Sequence, residues 1–584
     1  MTSYFLQKAY KCYLLEYLEI CYNKNTKEGG FMAQYKANVF VKDELREITN
    51  PEKDRPQRII GEELKDYLFD SKDTKVCILY GLRRTGKTTL MLQTISELTQ
   101  DDFEKSAYIE VSNRDTISSL YSDLDMLKEE GYKYIFIDEV TSLDNFISMS
   151  SLFPDVYVRK GMRIVLTGTD SLGFFLSSSR ELYDRARYIH TTYIPFYEFK
   201  HLFPNKNIDE FIEYGGTLIP EYNEDYPFYN GKNAEQYVDS AIAQNIQHSL
   251  ENYEEGSKFR SLINLYNQDK LTNAINRVVQ NRNHQFSIKV IQSTFKSSDY
   301  NSVRDIMTTR VKKNIEPNTD ILNRIDSSTI IESLKKQLHI YDARKDEILT
   351  DSEVYEIEQY LRKLEIVDSY TVESGDFNIS PVENNIITQS GLRYSQCKEL
   401  LKILENHNTF RLGTDKEQNL IVSTIDNNVK GKILEELTIY NVQQSLDAEK
   451  YEVFQLSYPP MPSEGVTEGE IDLVIKDKEA YTVELFEIKH SSEIVPSQYK
   501  HMIDPAKMKY FEKRGLEVSG RTVLYMGKTQ GQEIEGVKYK NISEYLDELK
   551  VYDRNYQKMF LVQKECAKNV EDGYDENDSL DTKC

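Results

Sequence analysis

Eight consecutive residues, Gly81-Leu82-Arg83-Arg84-Thr85-Gly86-Lys87-Thr88, have the types and spacing of a phosphate cradle. Glycines let the backbone curl so that successive N–H groups, with the N-terminus of a following helix, converge on one anion. In such a loop Lys87 reaches the β- and γ-phosphates of ATP or GTP and Thr88 holds Mg²⁺, while Gly81, Arg84, Thr85, Gly86 and Thr89 complete the nucleotide-contacting set. The apolar run Val76–Tyr80 before the loop and the helical pattern Thr88–Leu98 after it are the flanks that this chemistry requires.

Hydrolysis needs two further groups, one to organise Mg²⁺ and one to activate water, and both usually end a buried strand next to the P-loop strand. Tyr134–Ile137 ends in Asp138 and Glu139, 51 positions beyond Lys87 (138 minus 87). Asp138 fits the Mg²⁺ role and Glu139 the water-polarising role. Arg163–Thr167 ends in Thr167, placed to sense the γ-phosphate or orient the water. Arg185, within Tyr183–Tyr188, is a candidate arginine finger that would offset transition-state charge.

A third group of residues suits a different reaction. Strand side chains alternate faces, so Asp472 shares a face with Glu470 and Val474, Glu487 shares one with Lys489, and Phe486 and Ile488 turn to the core. If these two strands are neighbours, the acids converge beside a lysine. Glu435, on the amphipathic helix Gly431–Gln444, adds another acid. Carboxylates Glu435, Asp472 and Glu487 would bind Mg²⁺, and Lys489 would position or activate the water that attacks a phosphodiester. This arrangement resembles the PD-(D/E)xK nuclease core.

The elements that must position these groups read as a multidomain α/β chain. Alternating apolar runs and helical patterns over 58–205 predict a P-loop AAA-type ATPase domain with a parallel sheet. Residues 206–345 read as a helical lid or connector, and 1–57 as an N-terminal helical extension. A helix at Ser352–Leu364 followed by two short extended runs predicts a winged-helix-like module over 346–428. Residues 429–550 carry the third group on an α/β restriction-endonuclease-like domain. The acidic segment 551–584 cannot bury enough apolar surface to fold.

A chain of 584 residues exceeds what a single core supports. Its formal charge of -23 argues against a surface coated for nucleic acid but leaves room for a local basic groove. Six cysteines without CxxC spacing fit reduced thiols, with no structural metal expected. Charges interrupt the apolar N-terminus, so no signal peptide is expected, and no run approaches a membrane span. The expected location is cytoplasmic, with no membrane partner.

Gly81–Leu90, Tyr134–Val140, Ile164–Ser171, Ile194–Phe199 and Tyr214–Gly216 together resemble prokaryotic AAA-type ATPases that carry a C-terminal PD-(D/E)xK domain of unknown function. The resemblance covers roughly 58–550 and is strongest in the ATPase part. It implies a sensor role for Thr167 and an arginine finger at Arg185. The chain departs from that pattern at Asp184, where a glycine is usual, and in the spacing from Gly215-Gly216 to Pro220. Gln389–Tyr394 resembles a segment that precedes the C-terminal domain in the same family.

Two functions from different classes follow. One is an ATPase whose cycle drives a nuclease-like domain on DNA or RNA. The other is an ATP-controlled switch whose C-terminal domain binds without cleaving. ATP and Mg²⁺ are the expected cofactors, and a further copy of the chain is an expected partner.

Overall fold

The structure, a computed structural model, describes residues 35–549 except 70–72, 113, 144–145, 169–181, 183, 219–225, 253–258, 297–348 and 406–414. The expected extension up to residue 34, the connector from 297 to 345 and the tail at 551–584 lie outside the described residues.

Two β-sheets organise the described residues. The first contains β1 (Asn38–Val41), β2 (Val76–Tyr80), β3 (Ser106–Glu110), β4 (Tyr134–Asp138), β5 (Arg163–Gly168) and β6 (Ala186–His190) in the spatial order β1-β3-β4-β5-β2-β6. All neighbours are parallel except β1, which closes one edge antiparallel to β3. Every residue of β2, β4 and β5 is buried, as a parallel sheet covered on both faces demands. The order corrects one expectation: β5 lies between β2 and β4, so Asp138 does not end the strand next to the P-loop strand. Thr167, at the end of β5, occupies the position between them.

Helix α1 (Lys87–Ser96) leaves the P-loop directly, and α2 (Ile208–Tyr214) follows the sheet. The helical connector is present in part. Gly231–Tyr237, a π-helical stretch Val238–Ala243 and Gln244–Asn252 form one rod, followed by Arg260–Asn267 and by α3 (Leu271–Lys296). No described helix is long and apolar enough to cross a membrane.

After α4 (Asp351–Lys363) comes the hairpin β7 (Val367–Ser374) and β8 (Val382–Ile387). The expected succession of helix and hairpin is there, but the hairpin is not a free-standing wing. Helices α5 (Ser390–Glu405) and α6 (Asp415–Ser445) follow it, and then β9 (Tyr451–Tyr458), which pairs in parallel with β7. With β10 (Gly469–Asp477), β11 (Thr482–Lys489), β12 (Glu517–Tyr525) and β13 (Lys538–Asn541) they make a seven-stranded sheet in the order β13-β12-β11-β10-β9-β7-β8. The sheet and α6 both run across the boundary expected at 428/429.

Packing joins the halves. Phe196, Phe199, Phe211 and Ile212, which follow the first sheet, lie in one hydrophobic core with Leu473, Phe486, Ile488 and Leu524 of the second. Val429, Ile433 and Leu437 place an apolar stripe of α6 in that same core.

Candidate functional sites

Backbone conformation at the P-loop depends on its glycines. Gly86 caps α1 at φ +83° and Gly81 adopts φ +146°. A Cβ on Gly81 would stand 2.4 Å from Thr191 Oγ1, so only glycine lets the loop leave β2 this close to the end of β6. Arg84 is left-handed as well, at φ +68°.

Arg58 holds the loop from behind. Its guanidinium contacts Glu198 at 3.0 and 2.7 Å and donates to the carbonyls of Thr85 at 2.9 Å, Thr191 at 2.8 Å and Tyr193 at 3.3 Å. Both charged residues are buried, where only a pair with its donors satisfied offsets the loss of hydration. Thr85 Oγ1 lies 2.8 Å from Thr191 Oγ1 and completes the anchorage.

Lys87 is buried, and its Nζ donates to the carbonyls of Gly81 and Leu82, both at 2.9 Å. Burial drives its pKa down to about 8, against the pull of Glu139 and Asp138. An ammonium held by carbonyl dipoles in a desolvated site is short of an anion, which is what a phosphate supplies.

Asp138 gathers three hydroxyls. Thr88 Oγ1 donates to its Oδ2 at 2.6 Å, Tyr108 OH to the same oxygen at 2.8 Å, and Thr167 Oγ1 to its Oδ1 at 2.5 Å. The expected partners Thr88, Asp138 and Thr167 thus meet, and Tyr108 joins them from β3. Glu139 follows in a left-handed conformation, φ +55°, a cost that a non-glycine residue bears only where the surroundings impose it. It lines a cavity of about 620 Å³ with Arg84, Gly86, Lys87, Thr88 and Thr89. Gln244, Asn245 and His248 form the opposite wall, and Arg83 Nη1 ties the rod down at Ser240 O and Gln244 Oε1, 3.2 and 2.8 Å away. A hydroxyl and carboxylate side by side, next to a buried ammonium, fit a nucleotide with Mg²⁺.

Arg185 lies elsewhere. β6 runs parallel to β2 with Ala186 opposite Val76, so Arg185 stands at the starting edge of the sheet while the P-loop leaves the finishing edge. Five strand residues at roughly 3.3 Å each separate the two edges. Arg185 pairs with Asp155 at 3.0 Å, away from the P-loop of its own chain.

The second site forms where β10 and β11 run antiparallel, with Leu473 opposite Phe486. Against β9 the register of β10 shifts between Ile471 and Val474, and this irregularity contains Asp472. Such bulges re-aim side chains. Asp472 Oδ2 accepts from Lys489 Nζ at 2.9 Å and from the Ile488 N–H at 2.8 Å, and Lys489 Nζ also lies 2.7 Å from Glu487 Oε2. Asp472 and Glu487 are buried.

On α6, Glu435 lies 2.5 Å from Lys432 Nζ, which is 3.6 Å from Glu470. One carboxylate oxygen each from Glu435, Glu470 and Asp472 lie within 4.8 Å of one another. Glu470 therefore takes the place expected for Glu487 in the tightest trio, while Glu487 is held by Lys489. Its other oxygen, Oε1, is buried without a hydrogen-bond partner.

Burial raises the Glu435 pKa to about 8, opposed by Lys432 and reinforced by Asp472 and Glu470. Burial and then Asp472 push Glu487 well above the usual carboxylate range. For Asp472 burial also pushes upward, but Lys489, Lys432 and the Ile488 N–H outweigh it and hold the acid below its ordinary value. Crowded acids with a donorless buried oxygen make a donor set that a divalent cation would satisfy. They lie in a groove of about 1370 Å³ walled by Arg282 and Lys289 of α3, Tyr370, and Lys500.

Several participants escape a reading of the sequence: Arg58, Tyr108, Gln244, His248, Lys432 and Glu470 in its ligand role. Only Glu470 carried a local signal, its even spacing from Asp472 on one strand.

Residues 73–200 match the family model of an AAA domain. Uncharacterized protein MJ1544 of Methanocaldococcus jannaschii is 27% identical over 252 residues, 38% of this chain and 52% of that protein, so the match spans about half of that relative's length. Among solved structures, the Aeropyrum pernix ORC1 protein in complex with DNA aligns with a TM-score of 0.21 and 13% identity over 63% of this chain and 93% of that one. The S. cerevisiae Hsp104–ADP complex aligns with a TM-score of 0.25 and 11% identity over 68% and 61%. The domain around the P-loop is thus an AAA domain, and the described residues are mixed α/β with two sheets.

Proposed function

We propose that the chain is a Mg²⁺-dependent ATPase whose nucleotide cycle governs a nuclease-like site acting on DNA or RNA. At the first site Lys87 would offset phosphate charge, and Thr88 and Asp138 would hold Mg²⁺, which supplies Lewis acidity at the γ-phosphoryl. Glu139 would polarise the attacking water. Thr167 and Tyr108, both bonded to Asp138, would keep that carboxylate oriented.

At the second site Glu435, Glu470 and Asp472 would hold a divalent cation, whose chemistry there is polarisation of a phosphodiester. Lys489 would position the water and offset charge as the bond breaks. Glu487 would fix Lys489. Arg282, Lys289 and Lys500 along the groove would face the phosphates of a bound strand. The observation that carries the reading is Lys489 held between Asp472 and Glu487 beside the converging acids. Incubation with plasmid and with single-stranded DNA and RNA, in Mg²⁺ or Mn²⁺ and with or without ATP, tests it. Metal-dependent cleavage abolished by Lys489→Ala is the expected result. A second reading, a nucleotide-controlled switch, draws on the net charge of -23 and would be favoured by metal binding without cleavage of any of these substrates.

A further inference from the structure

Helix α2 and the turn after it, Gly215–Leu218, belong to neither sheet and touch both candidate sites. At one end the Leu218 N–H donates to the Arg84 carbonyl of the P-loop at 3.1 Å. Leu218 also covers Gly86 so closely that a Cβ there would meet its Cδ1 at 2.6 Å. At the other end Asp209 Oδ1 lies 2.6 Å from Nε2 of His490, the residue after Lys489. One turn along, Glu213 Oε1 accepts from Lys430 Nζ at 2.6 Å. Lys430 stands on α6, five positions before Glu435 (435 minus 430).

Between these ends there is little slack. The Gly391 N–H donates to the Gly215 carbonyl at 3.0 Å, Gln389 Nε2 to the Gly216 carbonyl at 2.9 Å, and Ser390 Oγ to the Phe211 carbonyl at 2.6 Å. A Cβ on Gly216, whose φ is +114°, would meet Gln389 Cβ at 2.7 Å. Two segments singled out by resemblance alone, Tyr214–Gly216 and Gln389–Tyr394, are therefore two halves of one joint. The apolar side of α2 continues the connection, since Phe211 and Ile212 share a core with Phe486 and Ile488 on β11. Close-packed interiors transmit displacement rather than absorb it.

We propose that residues 208–218 couple the two sites, and that Asp209 and Glu213 are positioning residues that set Lys489 and the Glu435 helix according to the state of the P-loop. The proposal rests on the functional reading above for both sites. Phosphate binding acts on the loop that contains Arg84, and Leu218 hangs from the Arg84 carbonyl. A shift there moves α2 as a body, and α2 is pinned to β11 through His490 and to α6 through Lys430. The coupling is reciprocal, so metal at the acid cluster alters nucleotide affinity by the same factor that nucleotide alters metal affinity.

Hydrogen exchange on the full chain, with and without the slowly hydrolysed analogue ATPγS and Mg²⁺, tests this directly. In the parent chain nucleotide should slow exchange at 81–90 and also change it at 430–436 and 485–491. The double variant Asp209→Asn with Glu213→Gln keeps shape while removing both charges. It should retain the protection at 81–90 and lose the response at the two distant segments, and restoring Asp209 alone should recover the response at 485–491. An undiminished distant response in the double variant, or a parent chain protected at 81–90 with no distant response, overturns the coupling and leaves the nucleotide reading intact. No protection at 81–90 in the parent defeats the nucleotide reading and this proposal with it. If the double variant melts well below the parent, the single variant Asp209→Asn is read at 485–491 with the same criteria.

Discussion

The two candidate sites each centre on a lysine, and the company those lysines keep is opposite. Lys87 faces the carbonyls of Gly81 and Leu82, and burial lowers its pKa. Lys489 is half-buried, and the loss of hydration alone would lower its pKa, but Asp472, Glu487 and Glu435 overcome that and raise it well above the ordinary value. The first site is thus short of negative charge. In the second, four carboxylates (Glu435, Glu470, Asp472, Glu487) face two ammonium groups (Lys432, Lys489), a formal surplus of two negative charges. One site is built to receive an anion and the other a divalent cation, and ligand charge is legible from the residual imbalance of each.

The sharpest test of the first half of this contrast is Glu139→Gln, which keeps the shape and removes the charge. ATP turnover, followed by phosphate release, should fall by about 10²–10⁴-fold while nucleotide still raises the melting temperature. Unchanged turnover would put water activation elsewhere. Next in size is Arg58→Ala, which strands Glu198 in the interior. Urea unfolding should show a loss of about 3–5 kcal/mol. A loss no larger than that of a surface pair would mean that the P-loop does not depend on its rear anchorage.

The contrast in ligand charge predicts a crossed pattern. Lys87→Ala should abolish the stabilisation by MgATP, about 2.7 kcal/mol when ligand stands 100-fold above its Kd, and should keep that produced by Mn²⁺ alone. Asp472→Asn should do the reverse. Thermal melting of the full chain measures both, and loss of both responses in either variant would break the separation of the sites. The smallest effect belongs to Arg185→Ala. Its pair with Asp155 is half-exposed, so removing it should cost about 0–1 kcal/mol and leave ATP turnover of the dilute chain unchanged. A large drop in turnover that appears only on concentration would assign Arg185 to the P-loop of a neighbouring copy.

What the sequence disclosed follows the same division. The P-loop is one contiguous segment whose backbone makes the site, so its residues announce themselves. Asp138 and Glu139 were legible because an apolar strand must end before them. Arg58 and Tyr108 were not, since nothing local separates a buried anchoring arginine from a surface one, and a tyrosine on β3 meets Asp138 only through sheet order. The distance of Arg185 from its own P-loop was not legible because β6, with Arg187 in its middle, does not read as a buried strand. Once β6 is known to be parallel, Arg185 must fall at the far edge. The acid cluster was half legible: Asp472, Glu487 and Lys489 meet as the alternation implied, but the irregularity at Asp472 decides that Glu470 joins Glu435, and no spacing reveals a bulge. The β7–β8 hairpin was visible as strands, while its parallel partner β9 comes only after two helices.

The core shared by Phe196, Phe199, Phe211, Phe486 and Ile488 also constrains how the chain is made. Phe486 leaves the ribosome 290 residues after Phe196 (486 minus 196). At roughly 5–20 residues per second that interval lasts about 15–60 s. Throughout it Phe196 and Phe199 have Phe211 to pack against but not yet the side chains of β11 that complete their core. The contact of these phenylalanines with the second sheet therefore forms only once strand β11 has emerged, whereas the cores around the first sheet, built from residues up to Ile189, need nothing from the C-terminal half.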